Sequence, residues 1–304
     1  MSTPLASQLP VPDGPPPADV PQTAARGISR GRRVLTMVAL IIGAIAFLFP
    51  FYYMIVGSLQ KKSDTSLSGA LPHPGNLSLN NYSEINAAIS LGQSLLNSAI
   101  FTAGVVAGTL IFGVLAGYAL AQLKYRGRGT LFAAMLLLQV IPFQLLVIPL
   151  YVQIVRGYGL ADSYLGMILP FAINSVAVFV FRQFFMQLPI ELFEAARIDG
   201  ASELRILRSI ALPLVRPALL TATLLTFIGP WNEFLWPFLV TKQHDKQPLA
   251  VSLANYISTA ASVATNPYGS ILAGACVLAG PAILLFVIFQ RHFVSSELGS
   301  GVKG

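Results

Sequence analysis

The chain has 304 residues, 55% hydrophobic and only 10% charged, with mean hydropathy +0.69 and a formal net charge of +7. A soluble domain carries about 25% charged residues, so composition alone excludes an ordinary soluble protein and indicates a membrane protein. The positive balance does not indicate nucleic acid, because the basic residues are dispersed between apolar runs rather than gathered on one stripe.

Residues 1–33 read as a disordered, basic cytoplasmic tail: VPDGPPPADVPQ is proline-rich and too poor in apolar residues for a core, and Arg26, Arg30, Arg32 and Arg33 follow it. The next apolar run is too long for a cleaved signal and lacks a small-residue cleavage pattern, so it reads as an uncleaved first span. Crossing the hydrocarbon core takes about 20 apolar residues. Within 34–304, one membrane domain, six segments qualify: 34–57, about 96–121, 131–152, about 164–184, 217–240 and 269–290. All must be helical, because an open sheet edge would leave backbone groups unsatisfied in lipid. The expected fold is therefore an all-α membrane protein with six transmembrane helices.

Orientation follows from the basic residues. With the amino terminus inside, 14 Lys and Arg are cytoplasmic; Lys61, Lys62, Arg156, Lys242 and Lys246 are external. Both termini and the segment 188–217 are thus expected in the cytoplasm. The external face has two larger loops, 60–94 and 241–268. The first carries Pro72, Pro74 and a polar run over 76–81, with a short amphipathic helix expected over 81–90. The second contains Tyr256 and Asn266-Pro267-Tyr268.

Inside the spans, Gly104-x-x-x-Gly108 and Gly113-x-x-x-Gly117 offer small residues for close helix packing. Pro142, Pro149, Pro170, Pro230 and Pro281 each remove a backbone donor and allow a kink. Cys276 stands alone in an apolar run and can form neither an internal disulfide nor a cysteine metal cluster. Polar residues at depth are Gln139 and Gln144 around Pro142, Asn174, and Asn232-Glu233; they are candidates for a pathway or outer gate. Glu233 follows Arg216 by 17 residues, or roughly 25 Å of helix. That puts it near the external interface, with Trp231 and Trp236 as an aromatic belt. Lining a gate and being hydrated among headgroups both remain open for Glu233.

The segment 188–217 is too patterned for a plain loop. Pro189 suits a first helical position, Gly200 a left-handed helix end, and Ser202 a second helix cap with Glu203 in its positive first turn. Leu204, Leu207 and Ala211, with Ile206 and Ile210, form an apolar side against Glu203, Arg205 and Arg208. Pro213 is expected to stop the second helix. Two short helices thus meet at a glycine elbow. A surface-lying amphipathic helix is the plain alternative.

Glu194-Ala195-Ala196, three residues, Gly200, nine residues and Ile210-Ala211-Leu212-Pro213 resemble the EAA signature of ABC importer membrane subunits. From Pro50 onward the chain is similar to the second membrane subunit of carbohydrate importers, including the smaller maltose-system permease and glycerol-phosphate and oligosaccharide relatives. The matching stretches are Phe49-Pro50-Phe51-Tyr52 to Ser58-Leu59, Asn97-Ser98, Ile148-Pro149-Leu150-Tyr151 and Leu160-Ala161-Asp162-Ser163-Tyr164. They continue through Phe181-Arg182-Gln183-Phe184-Phe185, 194–202, 231–237, and Gln290-Arg291-His292-Phe293 to Gly301-Val302-Lys303-Gly304. Gln60-Lys61-Lys62 departs from the single lysine common in relatives.

The resemblance implies the type I importer permease fold, with cytoplasmic EAA coupling helices. It implies a multi-pass subunit of a bacterial or archaeal inner membrane that pairs with a second permease subunit. Two copies of a cytoplasmic ABC ATPase and an extracytoplasmic sugar-binding protein complete the implied assembly, embedded in membrane lipid and without nucleic acid. Glu194, Ala195, Ala196, Asp199, Gly200, Ala201, Ile210, Leu212 and Pro213 would form the ATPase-coupling knob: Glu194 supplies charge, the alanines a flat close-packed face, and Gly200 the turn. ATP and Mg would be bound by the partner ATPase. The chain itself shows no phosphate loop, no HExxH and no Gly-x-Ser-x-Gly, and His73, His244 and His292 fall in separate regions. It is therefore read as no enzyme, with no cofactor or metal of its own. A permease for amino acids, peptides or ions is the alternative within the class. A secondary transporter is the alternative outside it, but has no use for such a knob and would usually show internal repeats or buried charges.

Overall fold

The computed structural model describes residues 30–259 and 261–298. Of the tail expected over 1–33, residues 1–29 lie outside the described residues, as does the closing Gly301–Gly304 stretch, while Arg30–Arg33 are not irregular but form the first turn of a helix. Contacts divide the chain into two units, Met1–Phe49 and Pro50–Gly304. The described part of the first is apolar helix with nearly every side chain exposed, the expected state of a span whose surroundings are lipid.

Regular structure among the described residues is helical, apart from one isolated bridge between Gln60 and Leu77. The helices are α1 (Arg30–Ser58), α2 (Asn80–Ile89), α3 (Leu91–Gln122), α4 (Arg128–Leu138), α5 (Phe143–Tyr151), α6 (Tyr164–Ile168) and α7 (Ser175–Met186). They continue with α8 (Ile190–Ile198), α9 (Glu203–Ile206), α10 (Leu212–Leu214), α11 (Arg216–Asn232), α12 (Leu235–Val240), α13 (Leu249–Thr259) and α14 (Pro267–Leu298). Three are long and apolar enough to cross a membrane: Gly31–Ser58, Leu91–Gln122 and Pro267–Gln290. Three bent pairs bring the number to as many as six crossings.

The bends correct the picture of continuous spans. The third expected span breaks between α4 and α5 with a 94° bend: α4 ends at Leu138 and Pro142 caps the start of α5. Pro149, by contrast, lies inside α5, and a π turn over Val152–Gly157 follows. The fourth breaks by 52° between Tyr164–Phe171 and Ser175–Met186. The fifth stops at Asn232 rather than running to 240. There the backbone becomes extended at Glu233 (φ −68°, ψ 125°), whose N–H donates back to the Pro230 carbonyl (3.2 Å) and whose carboxylate accepts from the Trp236 N–H (3.2 Å). Glu233 thus closes α11 and opens α12.

Lipid tails are as apolar as leucine, so helices in a bilayer associate through close packing. The glycines of α3 provide it, and their partner is the fourth span. A Cβ on Gly108 would stand 2.8 Å from the Ala172 Cβ; on Gly117 it would stand 2.6 Å from the Phe181 Cβ and 3.0 Å from the Arg182 backbone nitrogen. With 32 residues, or about 48 Å of axis, α3 connects the two ends of the second unit. Its first turns meet the long loops: Asn97 donates to the carbonyls of Asp245 (2.9 Å) and Gln247 (3.0 Å), and the Leu249 N–H donates to Ser98 Oγ (2.8 Å). Its last turns meet the 188–217 segment.

At the loop end the expected helix after residue 80 is present as α2, and a second one, α13, was not anticipated. A buried amide clasp closes this end. Asn81 donates to the carbonyls of Ser58 and Gln60 (both 2.8 Å), while Asn266 donates to the Gln60 carbonyl (2.8 Å) and to Asn81 Oδ1 (3.1 Å). The expected aromatic belt is overturned. Trp236 is 0% exposed and Trp231 is 4% exposed, and both indoles donate inward, to the carbonyls of Gly166 (3.0 Å) and Leu278 (2.9 Å). The Gly166 carbonyl is available because its helical partner would be Pro170, which has no N–H.

Candidate functional site

The 188–217 segment folds as two helical arms around Gly200. Pro189 is the cap of α8 rather than its first residue. At the other end of α8, Gly200 sits at φ +78°; its N–H donates to the Arg197 carbonyl (3.1 Å) and the Ala201 N–H to the Ala196 carbonyl (3.0 Å). These are the two bonds of a Schellman close, which needs a left-handed residue at its centre. Ser202 precedes α9 in extended conformation but makes no side-chain cap bond. The second arm continues through a π turn at Leu207–Ala211 into α10 and lies at 80° to α11. Pro213 does not stop this arm. The wider turn before it absorbs the missing donor, and the chain turns only at Val215.

The inner side of the knob is a packed apolar core. Phe193, Ile206 and Ala211 are fully buried, packed with Ala196 and Leu207 against Tyr118 of α3, Phe181 and Phe185 of α7, and Ala218 of α11. Ala201, Ile210 and Leu212 pack partly against the same cluster. Leu204 is not on the apolar line expected for it: it is 68% exposed, because the arm turns Ile206 and Leu207 inward instead. Ile198 is 85% exposed, and Glu194, Ala195, Asp199 and Pro213 are also exposed. The knob therefore has a buried root and an outward face combining apolar side chains with Glu194.

An ion pair braces the two arms. Arg197 Nε donates to Glu203 Oε1 (2.7 Å) and Nη2 to Oε2 (3.3 Å), while the Tyr118 hydroxyl donates to Oε2 (2.6 Å). Glu203 was expected only to favour a helix start; Arg197 and Tyr118 carried no signal that they would converge on it. The Glu203 carboxyl is held below its ordinary value, chiefly by the bond from Arg197 and further by Tyr118. A lowered carboxylate pKa gives stability that is present above the unfolded value and is lost as pH falls through the folded one. Glu203→Gln should therefore unfold at lower temperature than the wild type at neutral pH, with the gap closing in acid. The effect should be under about 1 kcal/mol, since the pair is partly hydrated. Thermal unfolding of both proteins across that range is the check; a gap independent of pH would contradict the assignment.

The second feature lies where three helical paths break. A cavity of about 540 Å³ is lined by Gln139 and Phe143 from the α4–α5 break, Asn174 from the break before α7, and Thr226, Pro230 and Glu233 from the end of α11. Of the five polar residues singled out in the spans, it gathers Gln139, Asn174 and Glu233; Gln144 and Asn232 lie off it. Asn174 Oδ1 caps α7, accepting from Val176 (2.9 Å) and Ala177 (3.2 Å). Phe143 lies 5.0 Å from Phe171 and 6.2 Å from Trp236 between ring centroids, so an aromatic cluster borders the cavity. Broken backbone at membrane depth is tolerated where it lines a polar cavity. This arrangement offers hydrogen-bonding groups beside aromatic faces, and no group of acids, histidines or cysteines able to hold a metal is found among the described residues.

Residues 109–296 match the profile of a family described as binding-protein-dependent transport system inner membrane component. The arabinooligosaccharides transport system permease protein AraQ of Bacillus subtilis (strain 168) is 32% identical over 276 residues, covering 90% of this chain and 96% of that protein. The protein of the same description from Halalkalibacterium halodurans is 35% identical over 265 residues, covering 86% and 93%. The sn-glycerol-3-phosphate transport system permease protein UgpE of Yersinia pestis bv. Antiqua (strain Antiqua) is 31% identical over 277 residues, covering 89% and 98%. Among solved structures, a chain of a bacterial ABC transporter involved in the import of the acidic polysaccharide alginate superimposes with a TM-score of 0.73 at 27% identity, covering 87% of this chain and 98% of that one.

Proposed function

The chain belongs to the binding-protein-dependent transport system inner membrane components, and from that membership we propose that it is one half of the translocation pathway of an ATP-driven carbohydrate importer. It is a multi-pass inner membrane subunit, and ATP hydrolysis belongs to a partner. The proposed substrate class is an oligosaccharide or a related polyol phosphate, supported by the names of the similar permeases. A different permease subunit would supply the other half, two ATPase subunits would dock on the knobs, and a sugar-binding protein would deliver substrate to the loop end. Both termini and the knob would face the cytoplasm, as the distribution of basic residues suggests.

The observation that carries this reading is the knob itself: a buried root shared with α3, α7 and α11, and an exposed face bearing Glu194, Ala195, Asp199 and Ile198. Closure of an ATPase against that face would move three membrane helices as one body. Gln139, Asn174 and Glu233 would then contribute this subunit's polar lining to the pathway, with Gln144 and Asn232 outside it. Co-purification with the ATPase tests the docking surface. Glu194→Lys reverses the charge there, and Gly200→Pro is incompatible with φ +78°. Both variants should lose the ATPase while still inserting into the membrane. Retention of the ATPase with unchanged transport would sink the docking assignment.

A further inference from the structure

The cavity at the helix breaks contains polar groups that the fold leaves unbonded. Glu233 uses one carboxylate oxygen on the Trp236 N–H (3.2 Å), and its Oε2 accepts nothing among the described residues. Asn174 uses Oδ1 on the N–H groups of Val176 (2.9 Å) and Ala177 (3.2 Å), which leaves its Nδ2 as a free donor. Gln139, exposed on the same lining, adds an amide with both a donor and an acceptor. One cavity thus holds a free acceptor and a free donor from two different helix breaks.

Charge narrows what fits. Glu233 is the single ionisable residue in the described lining; no Lys, Arg or His accompanies it, and no cation pairs with it among the described residues. An ionised phosphate or carboxylate only accepts hydrogen bonds. Asn174 could serve it, but it would stand near a like charge with no cation to offset the repulsion. An ammonium only donates, and would leave Asn174 Nδ2 unmatched. A hydroxyl does both, so a ligand carrying several hydroxyls satisfies both side chains at once. Phe143 and Phe171, with centroids 5.0 Å apart, supply apolar faces for the C–H side of such a ligand. The volume of about 540 Å³ falls within the range of small-molecule sites, about 300–1,000 Å³.

We propose that Glu233 and Asn174 select uncharged, hydroxyl-rich cargo on this half of the pathway, admitting neutral oligosaccharides and rejecting phosphorylated or uronic ones. Resting on the pathway reading given above, this favours the oligosaccharide over the polyol phosphate. Glu233 then acts twice, turning α11 into α12 with one oxygen and meeting the cargo with the other.

Cells making the complete importer, and the same cells lacking this chain, receive one mixture: neutral oligosaccharides, their uronic and aminated counterparts, sn-glycerol 3-phosphate and short peptides. Mass spectrometry follows the medium. Depletion that needs this chain should be confined to the neutral oligosaccharides. The sugar so identified is then titrated, beside its uronic counterpart, against the purified transporter without its binding protein. The wild type should bind the neutral form at least about tenfold more tightly. Glu233→Gln, which can still accept from the Trp236 N–H, should lose most of that preference. Chain-dependent depletion of uronic, aminated or phosphorylated compounds would overturn the inference while the importer reading stands. Depletion of peptides alone, or none that needs this chain, would overturn the importer reading itself. Equal binding of both forms by the wild type would also overturn the inference, as would undiminished discrimination by a well-folded Glu233→Gln.

Discussion

Phe193→Ala is expected to abolish coupled uptake while leaving the chain inserted in the membrane. Phe193 is fully buried at the root of the knob, with its ring 6.3 Å from that of Tyr118. Removing a buried phenyl costs about 3–5 kcal/mol, and here the loss falls in the core that joins the knob to α3. The Arg197–Glu203–Tyr118 brace is partly exposed and too weak to hold the joint alone. An ATPase could still meet the outward face, but its movement would no longer reach the helices. The expected result in proteoliposomes is ATP hydrolysis that continues without substrate accumulation. Phe193→Leu keeps most of the volume and should keep most of the uptake. Normal uptake by the alanine variant would show that force reaches the membrane by another route.

Gly117→Val is expected to prevent folding of the second unit. The nearest atoms to an added Cβ are the Phe181 Cβ at 2.6 Å and the Arg182 backbone nitrogen at 3.0 Å. Neither is the loose end of a side chain, so α3 and α7 would have to separate. Separation would also strip Gln122 Nε2 from the Phe185 carbonyl (2.7 Å) and open the core that seats Phe193. Overpacking alone costs about 1–3 kcal/mol, and in lipid no hydrophobic gain between helices offsets it. Gly129→Ala is the internal control: nothing lies within 4 Å of its added carbon, and alanine is the better helix former by about 1 kcal/mol. Size-exclusion profiles in detergent distinguish them; a monodisperse Gly117→Val would refute the packing argument.

Much of the architecture was legible in the sequence because it depends on local chemistry. Gly200 announced the elbow because few other residues adopt its backbone angles, and the glycine pairs of α3 announced a close seam because small side chains leave little other reason for their spacing. What stayed hidden depends on partners distant in the chain. Glu203 meets Tyr118 across 85 residues, and no periodicity records that. The tryptophans were placed at an interface because indoles usually sit there; Pro170 instead left the Gly166 carbonyl needing a donor, and Trp236 supplied it. The breaks around the cavity were half legible. Pro142, Pro170 and Pro230 marked where helices could fail, but not that the failures would face one another with Gln139, Asn174 and Glu233.

The clasp at the loop end also has a bearing on how the chain is made. Asn81 and Asn266 are separated by 185 positions of 304, so a growing chain carries the first half of the clasp through more than half of its synthesis before the second half exists. Until α14 begins, Asn81 Oδ1 lacks the bond it receives from Asn266, and the Gln60 carbonyl lacks one of its two donors. A product cut short anywhere before residue 266 lacks the two bonds that Asn266 donates. The first loop thereby takes its final hydrogen bonds only after α14 has begun.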